Sequence, residues 1–404
     1  MRHSDIKRTA KYLLQAAVIG IVGGLIFCFY NFCSKHVTSL WKAEGDLMFS
    51  IAMPVIGLLI VLTERLFKLE GMGGSNAVII ESGGKDAKIP LRASACSFIT
   101  LLLTNLAETV TGREGASWQL VSPIAKRIND KWFPDTQKRI AVSCAIAAGF
   151  GCLWGLPLFG AFIASEMAFA SLYFPAFVPS LLSSYIARGM ALLIFPNQTV
   201  HEVAAFEPLD TAEIAKLAGI SILVGLFARA YICVSDKIGD CFSLIKNTYV
   251  RIFAGGALIG VLCYFVGKDY LCGVNVLMND ALLGRPIPWY SFLAKIFFFC
   301  VLLKSGYKTG VLIQTMSIGA MLGPVLSGFS GLPAGLSAAV SLAGLVGASF
   351  NAPLTAAALS LEIFGGEVFP YCVIAIFFAR IVSGNCRKYT GQEISDKMPL
   401  IVWE

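Results

Sequence analysis

Three observations predict an all-α polytopic membrane protein: an excess of apolar residues, apolar runs that continue without alternation, and very little charge inside those runs. Of 404 residues, 56% are hydrophobic and 14% charged, where a soluble domain carries about a quarter charged. The mean hydropathy is +0.73. Strands of a membrane barrel alternate in polarity over about 10 residues, whereas these runs are apolar throughout, so helices are expected.

The runs follow one another along the chain. Tyr12 to Tyr30 is long enough for a straight span, and Leu47 to Val61 and Phe98 to Leu106 come next. Leu217 to Phe227 and Val368 to Phe378 carry the pattern to the end. Many runs contain Gly or Pro and fall short of the roughly 20 residues that cross a bilayer, so tilted and broken helices are expected. No polar stretch is long enough for a separate soluble domain, and no appended regulatory module is expected.

The net charge of +7 comes from basic residues in loops and ends, such as Arg2, Lys7, Arg8 and Lys11, and later Arg387 and Lys388. Such scattered charge does not make a nucleic-acid surface. By the bias of basic residues toward the cytoplasm, both termini are expected on the inner side of the cell membrane. The first apolar stretch exceeds the 7–15 residues of a secretory signal and no small-residue cleavage site follows.

The 12 cysteines form no CxxC pair and mostly sit inside apolar runs, as small buried hydrophobes do. His3, His36 and His201 have no metal-ligand spacing. With no nucleophile constellation and no phosphate-cradling loop, neither an enzyme nor a bound metal or cofactor is expected.

Chemistry concentrates at Gly112-Arg113-Glu114-Gly115-Ala116-Ser117-Trp118-Gln119, a carboxylate between two glycines at the head of an apolar helix. An ionisable group at membrane depth is costly and marks function by default. Flanking glycines let the backbone approach a ligand, and the first N–H groups of a helix attract anions. An anion site with a proton-carrying gate beside it is the reading.

The sequence also repeats. Pro157-Leu158 and Glu166 recur as Pro353-Leu354 and Glu362 at one offset of 196 residues (157 to 353, 166 to 362). Gly151 then meets Gly347, and Trp154 meets Phe350. Thr111-Gly112 and Thr309-Gly310 correspond at 198. Two homologous halves, 1–205 and 206–404, are expected, and inverted halves point equivalent helix starts at one another in mid-membrane. A third start follows the glycine cluster Gly71-Met72-Gly73-Gly74-Ser75. For Glu166 and Glu362 the expected role is structural, as helix caps or loop ion pairs, not proton carriage.

The order of these pieces, followed by Ser305-Gly306, then Gly310-Val311-Leu312-Ile313-Gln314, then Ala352-Pro353-Leu354-Thr355 and a late Tyr389, resembles the CLC family of anion channels and anion/proton antiporters. The resemblance covers nearly the whole chain, and its most specific piece is Gly-Arg-Glu-Gly with Gln119 four residues on. It implies a CLC-like fold of two inverted-topology repeats, and a homodimer with one pore per subunit. Glu114 matches the family's gating glutamate, and Met72 the serine that touches the central anion in chloride-transporting members. Val311, Leu312 and Ile313 match backbone donors, and Tyr389 the tyrosine that closes the inner side of the site. Gly73, Gly74, Ser75, Gly112, Arg113, Gly115, Ala116, Gln314 and Thr315 complete the anion-binding set so implied.

The departures from the family pattern narrow the reading. Gly-Ser-Gly-Ile-Pro of chloride-type members is here Gly-Met-Gly-Gly-Ser; Gly-x-Phe-x-Pro is Gly310-Val311-Leu312-Ile313-Gln314; and Ala116 stands where Pro follows Gly-Arg-Glu-Gly. The inner glutamate that relays protons in many chloride antiporters falls at Met167, one residue after Glu166. The combination resembles the bacterial fluoride/proton antiporter branch, so fluoride and protons are the expected partners, with membrane lipid around them. Three alternatives stay open: a chloride/proton antiporter, a passive anion channel, and a transporter of another solute that uses the glutamate as a cation site.

Overall fold

In the computed structural model the described residues are 3–41, 46–107, 113–168, 171–194, 202–272, 275–392 and 401–402. Sixteen α-helices account for most of them. The first nine are α1 (His3–Trp41), α2 (Asp46–Leu66), α3 (Ser75–Ser82), α4 (Arg92–Leu106), α5 (Arg113–Gln119), α6 (Ser122–Trp132), α7 (Lys138–Gly149), α8 (Pro157–Glu166) and α9 (Phe174–Ile194). The rest are α10 (Thr211–Ser243), α11 (Thr248–Val266), α12 (Val276–Leu282), α13 (Ser291–Ser305), α14 (Val311–Ser330), α15 (Ala334–Phe350) and α16 (Pro353–Ser383). One π-helical turn, Phe150–Trp154, joins α7 toward α8, and a two-residue parallel pairing links Leu172–Tyr173 to Ile401–Val402.

Among the described residues, six helices are long and apolar enough to cross a bilayer: α1, α9, α10, α11, α14 and α16. The apolar runs thus sit in helices longer than the runs themselves, as where Leu217 to Phe227 lies within the 33-residue α10. That helix begins with a capping box, Asp210 accepting from the Glu213 N–H at 2.7 Å while Glu213 accepts from the Asp210 N–H at 3.0 Å. Short helices α3, α5 and α12 are the broken pieces; each is at most 8 residues and ends inside the molecule.

Large apolar side chains cover much of the surface as well as the interior. Leu193, Leu244, Phe265 and Phe329 are 78–88% exposed, as lipid-facing side chains are, while serines fill the interior. Ser183 donates to the Cys144 carbonyl at 3.0 Å and Ser184 to that of Ala147 at 2.8 Å, tying α9 to α7. Close packing through small residues replaces the hydrophobic drive that lipid cannot supply. A smaller apolar cluster gathers α1, α4 to α7 and α9; a larger one runs from α2 and α3 through α10 to α16. α15 is buried along almost its whole length.

The 196-residue correspondence is visible in the backbone. Gly155 and Asn351, that far apart, both end a helix in the left-handed region, at φ 75° and 52°. Leu156 and Ala352 follow at similar angles, and then Pro157 and Pro353 start α8 and α16. Neither start is capped by its own side chains. Glu166 of α8 instead accepts from the N–H groups of Leu354 (3.1 Å) and Thr355 (2.6 Å) and from the Thr355 hydroxyl. Glu362 of α16 returns the arrangement, accepting from Leu158 (2.9 Å) and Phe159 (2.7 Å). Each carboxylate satisfies N–H groups orphaned at a helix start and faces the positive end of that helix's dipole. Glu166 ends α8, and Glu362 likewise stands just before a non-helical break at Gly365 (φ 77°) that divides α16.

Candidate anion site

Three helix starts meet in the interior. The turn before α3 reaches its direction through Gly73 and Gly74, at φ +63° and +51°, angles that a side chain with Cβ resists. Within it the Gly74 N–H donates to the Met72 carbonyl at 2.7 Å. Ser75 opens α3, and its hydroxyl accepts from the Gln119 amide at 3.2 Å. The same amide's oxygen accepts from the Ser97 hydroxyl at 3.2 Å, so Gln119 ties the end of α5 to both α3 and α4.

Glu114 stands in the first turn of α5 and is 2% exposed. Its side chain crosses to α14, where Oε2 accepts from the Leu312 N–H at 2.7 Å; the Val311 and Ile313 N–H groups also face the carboxylate. Gly310 caps α14, and a Cβ there would come within 2.8 Å of Glu114 Oε2. Only glycine leaves room for that approach. On its other oxygen Glu114 accepts a short hydrogen bond from the Tyr389 hydroxyl. Tyr389 is buried, not in an interfacial belt, with its ring against Trp118 (6.0 Å) and stacked on Phe350 (5.5 Å).

A cavity of about 580 Å³ opens onto this carboxylate; Met72, Gly73, Gly74, Ser75, Gly115, Val311 and Tyr389 line it together with Glu114. Leu312 and Ile313 join through their N–H groups. Ala116 is fully buried and Arg113 half-buried in α5, neither on the cavity wall. Gln314 turns its amide to the Cys272 carbonyl (2.7 Å), and the Thr315 hydroxyl donates to Val311 O (2.9 Å) and meets the Tyr231 hydroxyl (3.2 Å). These two side chains brace α14 and make no hydrogen bond to Glu114. Gly112 lies outside the described residues.

Lys388, Thr309 and Gln119 also line the cavity and were absent from the sequence-derived set. Gln119 carried a signal in its fixed spacing from Gly115; Lys388 carried only its place beside Tyr389. Met167, at the relay position, accepts at its sulfur from the Gln392 amide (3.3 Å), which also donates to the Phe350 carbonyl (2.6 Å). No carboxylate takes its place there, since Glu166 is engaged at the start of α16. Among the described residues, no cluster of His, Cys, Asp and Glu able to hold a metal occurs.

The arrangement can bind one small anion or one carboxylate on converging N–H groups and a phenol. Relatives fit that chemistry. The chain is 25% identical over 398 residues to a "Chloride/fluoride channel protein" of Pseudomonas syringae pv. tomato, covering 95% of this chain and 87% of that one. It is 25% identical over 388 residues to an "H(+)/Cl(-) exchange transporter ClcA" of Klebsiella pneumoniae, with 87% and 80% covered. The fold matches that of a solved CLC-type fluoride/proton antiporter with a TM-score of 0.88 at 22% identity, over 98% of this chain and 100% of the other. A slow cyanobacterial Cl-/H+ antiporter matches with a TM-score of 0.75 at 18% identity, over 92% and 94%. The family model described as voltage gated chloride channel spans residues 55–384, and the chain therefore belongs to the CLC family of membrane transport proteins.

Proposed function

We propose that this protein exports fluoride across the cell membrane in exchange for protons, with Glu114 as the group that both competes with the anion and carries the proton. The observation that carries this reading is the Glu114 carboxylate seated on the α14 N–H groups and the Tyr389 hydroxyl, donors that a halide seeks equally. Two negative charges repel at that spacing, so the site holds one or the other. An arriving anion therefore favours the protonated, neutral form of Glu114, which releases the donors. Proton uptake then accompanies anion entry, and the two ions move in opposite directions.

Fluoride over chloride is supported by Met72, which stands where chloride-transporting members have an anion-contacting serine, and by the names of the Pseudomonas relative and the fluoride/proton antiporter of like fold. Fluoride is small and strongly hydrated, and demands direct hydrogen bonds; backbone N–H groups and Tyr389 supply them. Residues 1–205 and 206–404 form the two inverted halves in this scheme, two copies of the chain pair with a pore in each, and both termini face the cytoplasm. The decisive assay is flux from proteoliposomes read by fluoride- and chloride-selective electrodes side by side. Fluoride release well above chloride supports the reading, and chloride release at an equal or higher rate contradicts it.

A passive anion channel is the second reading, favoured by Met167 at the relay position. It predicts halide flux under an imposed voltage with no change of pH.

A further inference from the structure

Glu64 takes part in two of the three helix starts that meet at the anion cavity, and proton exchange at Glu114 makes no use of it. It stands near the end of α2 and lines the cavity. Its carbonyl accepts from the Leu69 N–H at 2.9 Å, the Leu69 carbonyl from the Met72 N–H at 3.3 Å, and the Met72 carbonyl from the Gly74 N–H at 2.7 Å. These bonds lead from the end of α2 to the glycine turn that opens α3. The Glu64 side chain reaches the other way and pairs with Lys308, two residues before Gly310, the cap of α14. Lys308 lines the cavity too.

The turn that carries Lys308 is itself fixed. Tyr307 is 2% exposed, and its hydroxyl donates to the Met53 carbonyl of α2 at 2.7 Å. A Cβ on Gly57 of α2 would come within 2.6 Å of that hydroxyl, and one on Gly256 of α11 within 2.1 Å, so the two glycines form the slot in which the phenol sits. One residue earlier, Gly306 turns the chain out of α13 at φ 123°, an angle open to glycine. Residues 306–310 therefore hang the start of α14 on α2 at two points. Tyr307 is the sealed one; the Glu64–Lys308 pair faces the cavity, with 19% and 26% of its side chains accessible. Where an anion is held by donors from separate helix starts, the ion that fits them depends on the distance between those starts.

We propose that Glu64 and Lys308, anchored by Tyr307, are specificity-determining residues: their ion pair clamps the α14 start to the turn before α3 and fixes the width of the anion site at the size of the smaller halide. This rests on the transport reading for its ligand class. Both side chains act through the donors that they space, not by contact with the anion.

The test is calorimetry of sodium fluoride and sodium chloride binding to the solubilised full-length protein, read as the ratio of the two dissociation constants. A clamp fails whichever end is removed, so Glu64→Gln and Lys308→Met should each lower the preference for fluoride, by about fivefold. The exchanged pair, Glu64→Lys with Lys308→Glu, should return it to within about twofold of wild type. Charges that acted on the anion only through their field would shift the affinity for both halides in opposite directions in the two single variants and leave the ratio unchanged. That result overturns the proposal, as does an exchanged pair that stays at the single-variant ratio. Tyr307→Phe keeps the ring in its slot and removes only the tie to Met53; it should lower the ratio in the same direction, and an unchanged ratio there overturns the clamp even if the charge variants fail to fold. Because binding is read without transport, a lowered ratio in variants of a protein that moves no fluoride refutes the transport reading alone, whereas an unchanged ratio in variants of a protein that exports fluoride refutes this one alone.

Discussion

A carboxylate at membrane depth is tolerated only if its surroundings give it something to do, and Glu114 has N–H donors on one oxygen and a phenol on the other. Replacing it with glutamine keeps the shape and removes the titration. Glu114→Gln is expected to leave halide movement while abolishing its proton coupling, read as anion flux without pH change in proteoliposomes; proton movement that persists would remove Glu114 from the coupling step. Met72 sits on the cavity wall in the glycine turn. Met72→Ser is expected to narrow the ratio of fluoride to chloride flux by about tenfold, the scale of one polar contact, and an unchanged ratio would show that selectivity is set elsewhere. The place of Glu114 at a helix start was legible because two glycines flank it in an apolar chain. The Glu64–Lys308 pair was not legible, because charged residues at the ends of apolar runs read as loop charges until the fold brings them together.

At the scale of the elements, the reciprocal caps are the feature that pattern alone foresaw only in part. The equal offset of Pro157 to Glu166 and Pro353 to Glu362 pointed to a repeat and to caps or loop ion pairs, but a sequence does not say whose helix a carboxylate caps. Glu166 caps the start of α16 and Glu362 the start of α8, a pairing that depends on how the two segments face each other. Removing Glu166 as alanine orphans two buried N–H groups, each costing about 1–3 kcal/mol. Glu166→Ala should therefore lower the unfolding temperature in detergent markedly, and Glu362→Ala less, since Glu166 receives a further bond from Thr355. Equal and negligible shifts would mean that water replaces the caps. At Gly365 the backbone leaves helical geometry (φ 77°), so α16 is two helical segments meeting at a kink.

For the whole molecule, composition pointed to a membrane, because a chain with 14% charge cannot clothe a soluble surface, and the unbroken apolar runs pointed to helices over strands. The convergence of three helix starts followed from motif order, since glycine-rich starts recur at spacings that only a folded-back chain brings together. The N–H groups at Glu114 are those of Val311, Leu312 and Ile313, which the resemblance had named; which side chains join them did not follow, because Gln314 and Thr315 share the helix start but turn their side chains to Cys272 and Val311. A homodimer with independent pores predicts that dimers with one Glu114→Gln subunit keep about half of the wild-type proton flux, since each pore then acts alone. Complete loss in such mixed dimers would contradict independence.

The central claim is that anion and carboxylate exclude each other from one set of donors, and calorimetry of fluoride binding to the solubilised protein across pH addresses it most directly. Protonated Glu114 vacates the donors, so wild-type affinity should tighten as pH falls, with proton uptake revealed by the dependence of the binding heat on buffer, and Glu114→Gln should bind with the same affinity at every pH. Wild-type affinity that does not change with pH, or a pH dependence that survives in Glu114→Gln, would contradict the account.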